Sequence, residues 1–348
     1  MKLIIWGDTH IDHATNGKLV NNLPQMVADI YNNLKYMVDF ARDNHVDFAL
    51  FAGDMYRNSK PLIQYKKLIH EILLELSDIC PIYGVVGNHD INKHDIKNHA
   101  LAELTSLQVP CINIYTEPTL VNLGEYDLYA IPWLVRDVPL LTDFDKPTVA
   151  IFHGTVDTAT LQNGEEIGEL TVGKEVVLPT NYFTDNFVVT GLSHIHATQV
   201  LSTSPFVGYT GASERLDWGE IHCTPGFLFT DIESTTHIPF NVRQRKNLQF
   251  RNGIIEPGIV IDNDTLYQVE VILDTYKQPY DRAAIIKLFQ NTSCKIVERY
   301  PPSTRTNVSI PNPDKLTETD LVRLYFESIN EPFTQELENL CQEILTSH

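Results

Sequence analysis

Residues 3–10 read Leu-Ile-Ile-Trp-Gly-Asp-Thr-His, and this stretch sets the pattern from which the fold can be predicted. Four apolar residues, enough for a short buried strand, run into a glycine and then into polar side chains. Similar apolar runs follow at Phe48–Ala52, Ile82–Val86, Val149–Phe152 and Phe187–Thr190. Hydrophobic residues recur at helical spacings of three and four across residues 23–41 and 65–76. This alternation of strands and helices predicts an α/β fold.

Residues 119–132 depart from this alternation. They follow a hairpin pattern with Gly124-Glu125 at the turn, which predicts a second sheet packed beside the first. We therefore expect residues 1–240 to form one domain with two sheets. Residues 241–315 predict a separate small α+β unit, with strand, helix and strand at 266–274, 281–290 and 294–300. Residues 316–348 predict two helices that are interrupted at Asn330-Glu331-Pro332.

The charge of the chain is strongly negative and unevenly distributed. The 348 residues include 26 Lys and Arg against 45 Asp and Glu, a formal net charge of −19. This balance argues against simple electrostatic binding of a polyanion to the whole surface. Residues 241–315 are the exception, with 11 basic against 8 acidic residues, whereas residues 1–240 carry 14 against 30 and residues 316–348 carry 1 against 7. The three segments therefore predict three different roles.

The composition is that of an ordinary soluble globular protein, with 43% hydrophobic residues. No apolar run approaches the ~18 residues that a membrane-spanning helix needs, and the N-terminus lacks the pattern of a signal peptide. The five cysteines, at positions 80, 111, 223, 294 and 341, are scattered and odd in number. We expect them to be reduced thiols in a cytoplasmic protein.

Polar residues follow directly after each of the five predicted strands. The groups are Gly7-Asp8-Thr9-His10, Gly53-Asp54, Gly87-Asn88-His89-Asp90, His153 and His194-Ile195-His196. In open α/β sheets the ligand site lies beyond the carboxyl ends of the strands, so we expect the five groups to converge on one crevice. Each motif taken alone is more typical of a turn or a solvated loop. Together, in order and each after a strand, they predict a metal centre.

The residue types suit a pair of divalent metal ions about 3.5–4 Å apart, which needs a bridging carboxylate flanked by imidazole or carbonyl ligands. Asp8 and His10 are two residues apart, so on an extended segment they would point the same way and bind one ion. Asp54 is the natural second bridge, and Asn88 offers a neutral oxygen. The remaining ligands are His153, His194 and His196. Mixed histidine and carboxylate ligands favour manganese, iron or zinc over magnesium.

This series of motifs resembles that of the calcineurin-like metallophosphoesterases, whose fold is a two-sheet αββα sandwich. The resemblance implies that one metal ion is bound by Asp8, His10, Asp54 and His196. It implies that the other is bound by Asp8, Asp54, Asn88, His153 and His194. His89 would not bind metal and would act as a general acid or transition-state stabiliser. One departure is Ser193, where the family usually has glycine.

A more specific resemblance lies in residues 209–220, Tyr-Thr-Gly-Ala-Ser-Glu-Arg-Leu-Asp-Trp-Gly-Glu. They are similar to the signature of the SbcD-type DNA nuclease subunits, with Ala212 where that group has serine. The alternative is a glycine-containing turn followed by a salt-bridged strand. The SbcD-type proteins also carry a small DNA-capping domain of strand, helix and strand, followed by C-terminal helices. The predicted units at 241–315 and 316–348 match these in order and size.

The SbcD resemblance implies a double-strand exonuclease and single-strand endonuclease that uses two Mn²⁺ ions, with Mg²⁺ or another divalent ion as the alternative. Its partners would be DNA and an SbcC-like ATPase of the SMC type, in DNA end processing, recombination or repair. A homodimer is left open. The ATPase would bind the C-terminal helices, although amphipathic helices of this kind also pack on their own domain. The short tail suggests a phage-encoded version in the host cytoplasm, whereas a cellular version would be associated with the nucleoid.

Five basic residues are candidates for contact with DNA. Arg57 lies where relatives often have His or Asp, and it would either bind a phosphate oxygen or lie in an exposed loop. The other four are Arg243, Arg245, Lys246 and Arg251, in a segment without acidic residues at 241–251. That segment is either a DNA contact or a solvated basic linker. The isolated histidines, including His13, receive no role.

Two other functions fit the same motifs. A stand-alone phosphodiesterase acting on small nucleotides would need the metal centre but gives no reason for residues 241–348. A non-catalytic scaffold on the same fold is disfavoured, because the chain retains every ligand position and His89.

Overall fold

The computed structural model describes residues 1–13, 19–92, 98–133, 144–160, 176–276, 278–300, 316–328 and 332–346. Its strands are β1 (Leu3–Trp6), β2 (Leu19–Val20), β3 (Leu23–Pro24), β4 (Phe48–Phe51), β5 (Ile82–Val85), β6 (Ile112–Tyr115), β7 (Thr119–Asn122), β8 (Asp127–Ile131), β9 (Thr148–His153), β10 (Thr155–Val156), β11 (Val177–Leu178), β12 (Val189–Ser193), β13 (Gln199–Thr203), β14 (Phe206–Tyr209), β15 (Gly226–Thr230), β16 (Thr235–Pro239), β17 (Arg245–Arg251), β18 (Leu266–Ile272) and β19 (Cys294–Arg299). The helices are α1 (Gln25–Asp43), α2 (Ile63–Ser77), α3 (Ala102–Ser106), α4 (Thr180–Thr184), α5 (Arg282–Leu288), α6 (Glu318–Ser328) and α7 (Gln335–Thr346).

The first six-stranded sheet has the order β16-β15-β1-β4-β5-β6. Strands β1, β4, β5 and β6 run parallel. Beyond β1, strand β15 pairs antiparallel with β1, and β16 pairs antiparallel with β15. Side chains alternate between the faces of a strand. In β1, Ile4 and Trp6 accordingly pack in a core with residues of α1 and α2, such as Ile30 and Ile69. The helices cover one face of this sheet.

The second six-stranded sheet has the order β13-β14-β12-β9-β8-β7. Its inner face packs on the first sheet: Ile5 and Leu50 share a core with Leu128 and Ile151. Its outer face packs against α4, where the rings of Phe152 and Phe183 lie 5.6 Å apart. The layers are therefore helix, sheet, sheet and helix, and the predicted αββα fold and the predicted hairpin of β7 and β8 are confirmed.

The five strands that carry the predicted ligands are divided between the two sheets. Strands β1, β4 and β5 belong to the first sheet, whereas β9 and β12 pair in parallel in the second. The ligand groups therefore come from both sheets and not from the carboxyl edge of one. These groups meet because the two sheets pack face to face.

The chain divides into two compact units. The first contains residues 1–247, 260–268 and 288–295, and the second contains residues 248–259, 269–287 and 296–348. Strands β17, β18 and β19 form a three-stranded sheet, and β18, α5 and β19 lie where the sequence predicts strand, helix and strand. In the second unit α6 contacts α7, with the rings of Phe326 and Phe333 5.7 Å apart. The predicted domain boundaries at 240/241 and 315/316 stay a prediction.

None of the helices in the described part of the chain combines the length and the hydrophobicity that crossing a membrane requires.

Candidate metal centre

Two groups of three potential metal ligands lie together in the first unit. One group is Asp8, His10 and His196, and the other is Asp54, His153 and His194. Within each group the ligand atoms lie within 4.8 Å of one another. Each group combines residues that follow strands of both sheets, so the centre lies where the two sheets meet. We call them the first and the second triad.

The predicted extended conformation of the segment from Asp8 to His10 is wrong. Both residues are in the left-handed region, each with a φ of 45°, as are Asp54 at 59° and His194 at 100°. Residues other than glycine rarely adopt this conformation, which costs on the order of 1–3 kcal/mol each. Backbone bonds hold it in place, because the Asp8 N–H donates to the Gly53 oxygen at 2.9 Å and the His10 N–H to the Asp54 oxygen at 3.1 Å.

Close approach of the ligand loops requires glycine at two positions. A Cβ on Gly53, which has a φ of 98°, would collide with the His153 ring, and a Cβ on Gly87 would collide with the Asp54 carboxylate. Ser193, the departure from the family pattern, is accommodated by a third glycine. The Ser193 side chain occupies the space that a Cβ on this glycine, Gly7, would fill.

Two of the histidines have their orientation fixed by a hydrogen bond behind the ring. The Nδ1 of His153 donates to the Ala52 carbonyl oxygen at 2.8 Å. The Nδ1 of His196 donates to the Glu220 carboxylate at 2.7 Å. With Nδ1 engaged in this way, Nε2 is the nitrogen that would bind a metal ion in place of a proton, as in histidines that bind metal. Sequence reasoning did not find the role of Glu220, although this residue closes the 209–220 signature.

The electrostatics of the centre favour the addition of positive charge. Burial opposes protonation of His153 and His196, but neighbouring carboxylates outweigh it and raise the pKa of each to about 9. Burial lowers the pKa of His10 well below its usual value, which keeps this ring neutral. Burial also opposes ionisation of Asp54, yet His153 and His10 hold its pKa below the usual range. The buried Asp54 carboxylate thus carries a charge that a cation would balance.

Unpartnered buried atoms provide an independent test of whether metal ions fit. Among the described residues, Asp8 Oδ1 and both ring nitrogens of His10 are buried without a hydrogen-bond partner. Leaving such atoms unpaired costs about 1–3 kcal/mol each. Asn88 places its side-chain oxygen 3.0 Å from both His153 Nε2 and His194 Nδ1. Carboxylate, amide and imidazole atoms converging in this way fit divalent metal ions.

Asp90 holds two of the ligand loops together. Its buried carboxylate accepts the backbone N–H groups of Asp54 at 2.8 Å, Tyr56 at 3.1 Å and Gly87 at 3.0 Å. Burial, reinforced by the charge of Asp54, raises the pKa of Asp90 to about 7. Sequence reasoning used Asp90 only as part of a motif, and its position at the end of that motif is the signal that could have revealed this role.

His89 and Arg57 lie together at the exposed edge of the centre. The Nδ1 of His89 lies 3.0 Å from the Arg57 carbonyl oxygen, and the His89 ring is edge-on to His10 at 5.2 Å. The Arg57 backbone N–H donates to Asp12 at 2.5 Å, and its guanidinium contacts the His13 ring. His13 therefore joins this cluster, although its sequence context gave it no role.

The family of the chain follows from comparison with known proteins. A sequence model of the calcineurin-like phosphoesterases matches residues 1–190. The chain belongs to this family.

Two archaeal proteins and one phage protein are similar to this phosphoesterase. The DNA double-strand break repair protein Mre11 of Saccharolobus solfataricus is 29% identical over 127 residues, which cover 35% of this chain and 32% of that protein. Mre11 of Archaeoglobus fulgidus is 24% identical over 279 residues, 73% of this chain and 56% of that protein. Exonuclease subunit 1 of Enterobacteria phage T4 is 20% identical over 259 residues, 72% and 71% of the two chains. The matches thus span about a third and about half of the two Mre11 proteins.

The four basic residues of 241–251 do not form one solvated linker in this phosphoesterase, because β17 begins at Arg245. Arg243 is paired with Asp29 at 2.8 Å, and Arg245 is buried. Only Lys246 and Arg251 are exposed. Contact of the four residues with DNA stays a prediction. Lys246→Gln and Arg251→Gln, at the exposed pair, should lower DNA affinity and flatten its dependence on salt, and an unchanged slope would contradict the contact.

The phosphoesterase also contains a buried acid outside the two triads, next to Ser213 in the chain. Glu214 is 2% exposed, and burial raises its pKa to about 7 from the ordinary value of 4.5. Because the pKa is higher in the folded protein, the folded state binds the proton more tightly than the unfolded chain does. This contribution to stability is fully present below pH 4.5 and is lost as the pH rises through 7.

We therefore expect Glu214→Gln to flatten the dependence of stability on pH. When the pH rises from about 5 to about 8, the free energy of unfolding of the wild-type protein should fall by on the order of 2 kcal/mol more than that of this variant. Urea unfolding of the metal-free proteins at the two pH values measures the difference. Glu125→Gln, at the exposed hairpin turn, is the matched control. Equal pH dependence of the wild-type protein and the Glu214 variant would contradict the assignment.

Proposed function

We propose that this phosphoesterase is a DNA nuclease, a double-strand exonuclease and single-strand endonuclease that hydrolyses phosphodiester bonds at a dinuclear metal centre. The observation that carries the proposal is the pair of facing triads, each supplied by both sheets. A two-metal centre is typical of enzymes that displace an oxygen at phosphorus. The printed names of its relatives, a DNA double-strand break repair protein and an exonuclease subunit, support DNA as the substrate.

The proposed ligands follow the triads. The first ion would be held by Asp8, His10, Asp54 and His196. The second would be held by Asp8, Asp54, Asn88, His153 and His194. We propose Mn²⁺ for both sites, because imidazole and carboxylate ligands together suit it better than Mg²⁺. When bound, the two ions polarise the phosphoryl group and activate the attacking water at neutral pH.

His89 is the proposed catalytic side chain. It is exposed at the edge of the centre, where a phosphodiester can reach it. With Nδ1 donating to the Arg57 carbonyl oxygen, Nε2 is the nitrogen available to the substrate. As an imidazolium, His89 would give the Nε2 proton to the leaving-group oxygen as a general acid, or would stabilise the transition state through an Nε2–H hydrogen bond. Arg57 is the proposed partner for a phosphate oxygen, held in place by Asp12 through its backbone.

We expect cleavage of DNA to depend on metal and to be faster with Mn²⁺ than with Mg²⁺. The four imidazoles of the centre are the physical reason. The assay is digestion of end-labelled duplex and of circular single strands, after removal of metal with EDTA and addition of one ion at a time. Equal activity in Mg²⁺ would contradict the ligand assignment. Faster turnover of small nucleotide phosphodiesters than of DNA would instead favour the stand-alone phosphodiesterase.

A second prediction separates catalysis by His89 from metal binding. His89→Ala should lower the cleavage rate roughly 10²–10⁴-fold, because the variant loses proton transfer in the transition state. Calorimetry should find both metal ions bound with unchanged affinity. His70→Ala, at a histidine outside the centre on α2, is the control. Loss of an ion from the His89 variant would show that this residue is a ligand.

We propose that the C-terminal helices bind an SbcC-like ATPase of the SMC type. Phe326 on α6 packs against Phe333, which lies just before α7. Three other apolar side chains are exposed: Leu321 on α6 (41%), Tyr325 on α6 (61%) and Leu340 on α7 (50%). Exposed apolar side chains within an acidic helical segment suit a helix-to-helix contact with a basic partner surface.

A variant with Leu321→Glu, Tyr325→Glu and Leu340→Glu should no longer co-purify with the ATPase, because charged groups would replace the apolar side chains of the contact. Mn²⁺-dependent cleavage of single strands by the nuclease alone should persist. Leu107→Glu, at a residue that is 74% exposed in another part of the chain, is the control. Co-purification that survives the three substitutions would place the partner contact elsewhere.

A further inference from the structure

Residues 213–220 contact the first triad at both ends of the segment. At its start, the Ser213 N–H donates to the backbone oxygen of Asp8 at 3.2 Å. At its end, the Glu220 carboxylate accepts the Nδ1 proton of His196 at 2.7 Å. The segment thus touches two of the three members of the triad. We call it the outer segment.

Glu220 is itself held by the outer segment. Its second oxygen accepts the Leu216 N–H at 2.6 Å, and the side chain is 1% exposed. Asp217 caps the short 3₁₀ turn at Trp218–Glu220 by accepting the Gly219 N–H at 2.7 Å. The position of the carboxylate therefore depends on the conformation of the peptide units around Leu216.

The guanidinium of Arg245 donates hydrogen bonds to the same part of the backbone. One guanidinium nitrogen donates to the Asp217 carbonyl oxygen at 2.5 Å, and another donates to the Arg215 carbonyl oxygen. These two carbonyls flank Leu216, whose N–H binds Glu220. The guanidinium also lies over the Trp218 ring at 5.3 Å. Arg245 is only 7% exposed, so water does not compete for the hydrogen bonds of its guanidinium.

We propose that Arg245 is a positioning residue for the first metal ion. By fixing the carbonyls on both sides of Leu216, it fixes the N–H that holds Glu220, and Glu220 in turn orients the His196 ring. The rigid, planar fork of arginine can satisfy two carbonyls at once, which the single ammonium group of lysine does not reproduce. The inference rests on the proposed metal centre but not on DNA as the substrate.

A merely structural role for Arg245 makes a different prediction. A buried arginine that only stabilises the fold would, when replaced, lower the melting temperature and leave the affinity for metal unchanged. A positioning role selectively weakens the ion that His196 binds. Arg243 offers a matched control, because it is an arginine two residues earlier whose guanidinium is paired with Asp29 and Asp264, outside the outer segment.

The test is calorimetric titration of the metal-free, full-length protein with Mn²⁺. The binding step that His196→Ala removes identifies the first site. We expect Arg245→Lys and Arg245→Met to weaken this step on the order of tenfold, the lower end of the range for residues behind a metal ligand. The Mn²⁺ affinity of the other binding step should change less than about twofold. Arg243→Met should leave both steps as they are in the wild-type protein.

A double substitution tests the route through Glu220. Glu220→Gln alone should weaken the first step, and adding Arg245→Lys should then weaken it by less than about twofold, because the link is already broken. Additive losses, or an Arg245→Lys variant with both affinities unchanged, would overturn the proposal. If Arg245→Met does not fold, the lysine variant alone decides. Wild-type protein that binds no Mn²⁺ would refute the proposed metal centre itself.

Discussion

Two carboxylates, Asp8 and Asp54, are buried where two sheets meet, and the rest of the centre is arranged around their charge. A buried charge is tolerated only when it is paired or binds metal. Here the compensation comes from imidazoles. Burial opposes protonation of His153 and His196, but Asp54 beside His153, and Glu220 together with Asp8 beside His196, raise the pKa of each ring to about 9. A metal ion would supply the same positive charge without a proton, and the neutral His10 ring with its unpartnered nitrogens is ready to bind one.

The packing of the two sheets explains how these groups come so close. Glycines lie where the sheets approach each other, one within β12 and one directly after β1: a Cβ on Gly191 would collide with the Ile5 side chain, and one on Gly7 with Ser193. The residues after the strands then turn sharply, with left-handed conformations at Asp8, His10, Asp54 and His194. Such strain persists only where the surroundings hold it. Asp90 is part of that support, because one carboxylate fixes the backbones that carry Asp54 and Asn88.

Much of this arrangement could be predicted from the sequence, because short apolar runs and the polar residues after them are local signals. The hairpin pattern of β7 and β8 indicated a second sheet in the same local way, whereas the αββα order of layers came from the resemblance to the metallophosphoesterases. The division of strands between sheets was not predictable, since β9 and β12 look like the strands of the first sheet. The conformation of Asp8 and His10 was missed because side-chain alternation was assumed for a segment that has already left its strand. The contacts of Glu220 with His196 and of Arg245 with Asp217 were not predicted, because these partners are 24 and 28 residues away, beyond any local pattern.

The residues behind the ligands make the two triads unequal. In the second triad, the His153 ring is backed by the neutral carbonyl of Ala52. In the first, the His196 ring is backed by the charged carboxylate of Glu220, whose own pKa is lowered by this bond despite its burial. A carboxylate behind an imidazole raises the basicity of the ligand more than a carbonyl does, because it stabilises positive charge on the ring. The carboxylate that orients the His196 ring is held by the outer segment, whereas the carbonyl behind the His153 ring adjoins a central strand of the first sheet. We therefore expect the metal affinity of the first triad to depend more on residues outside the centre.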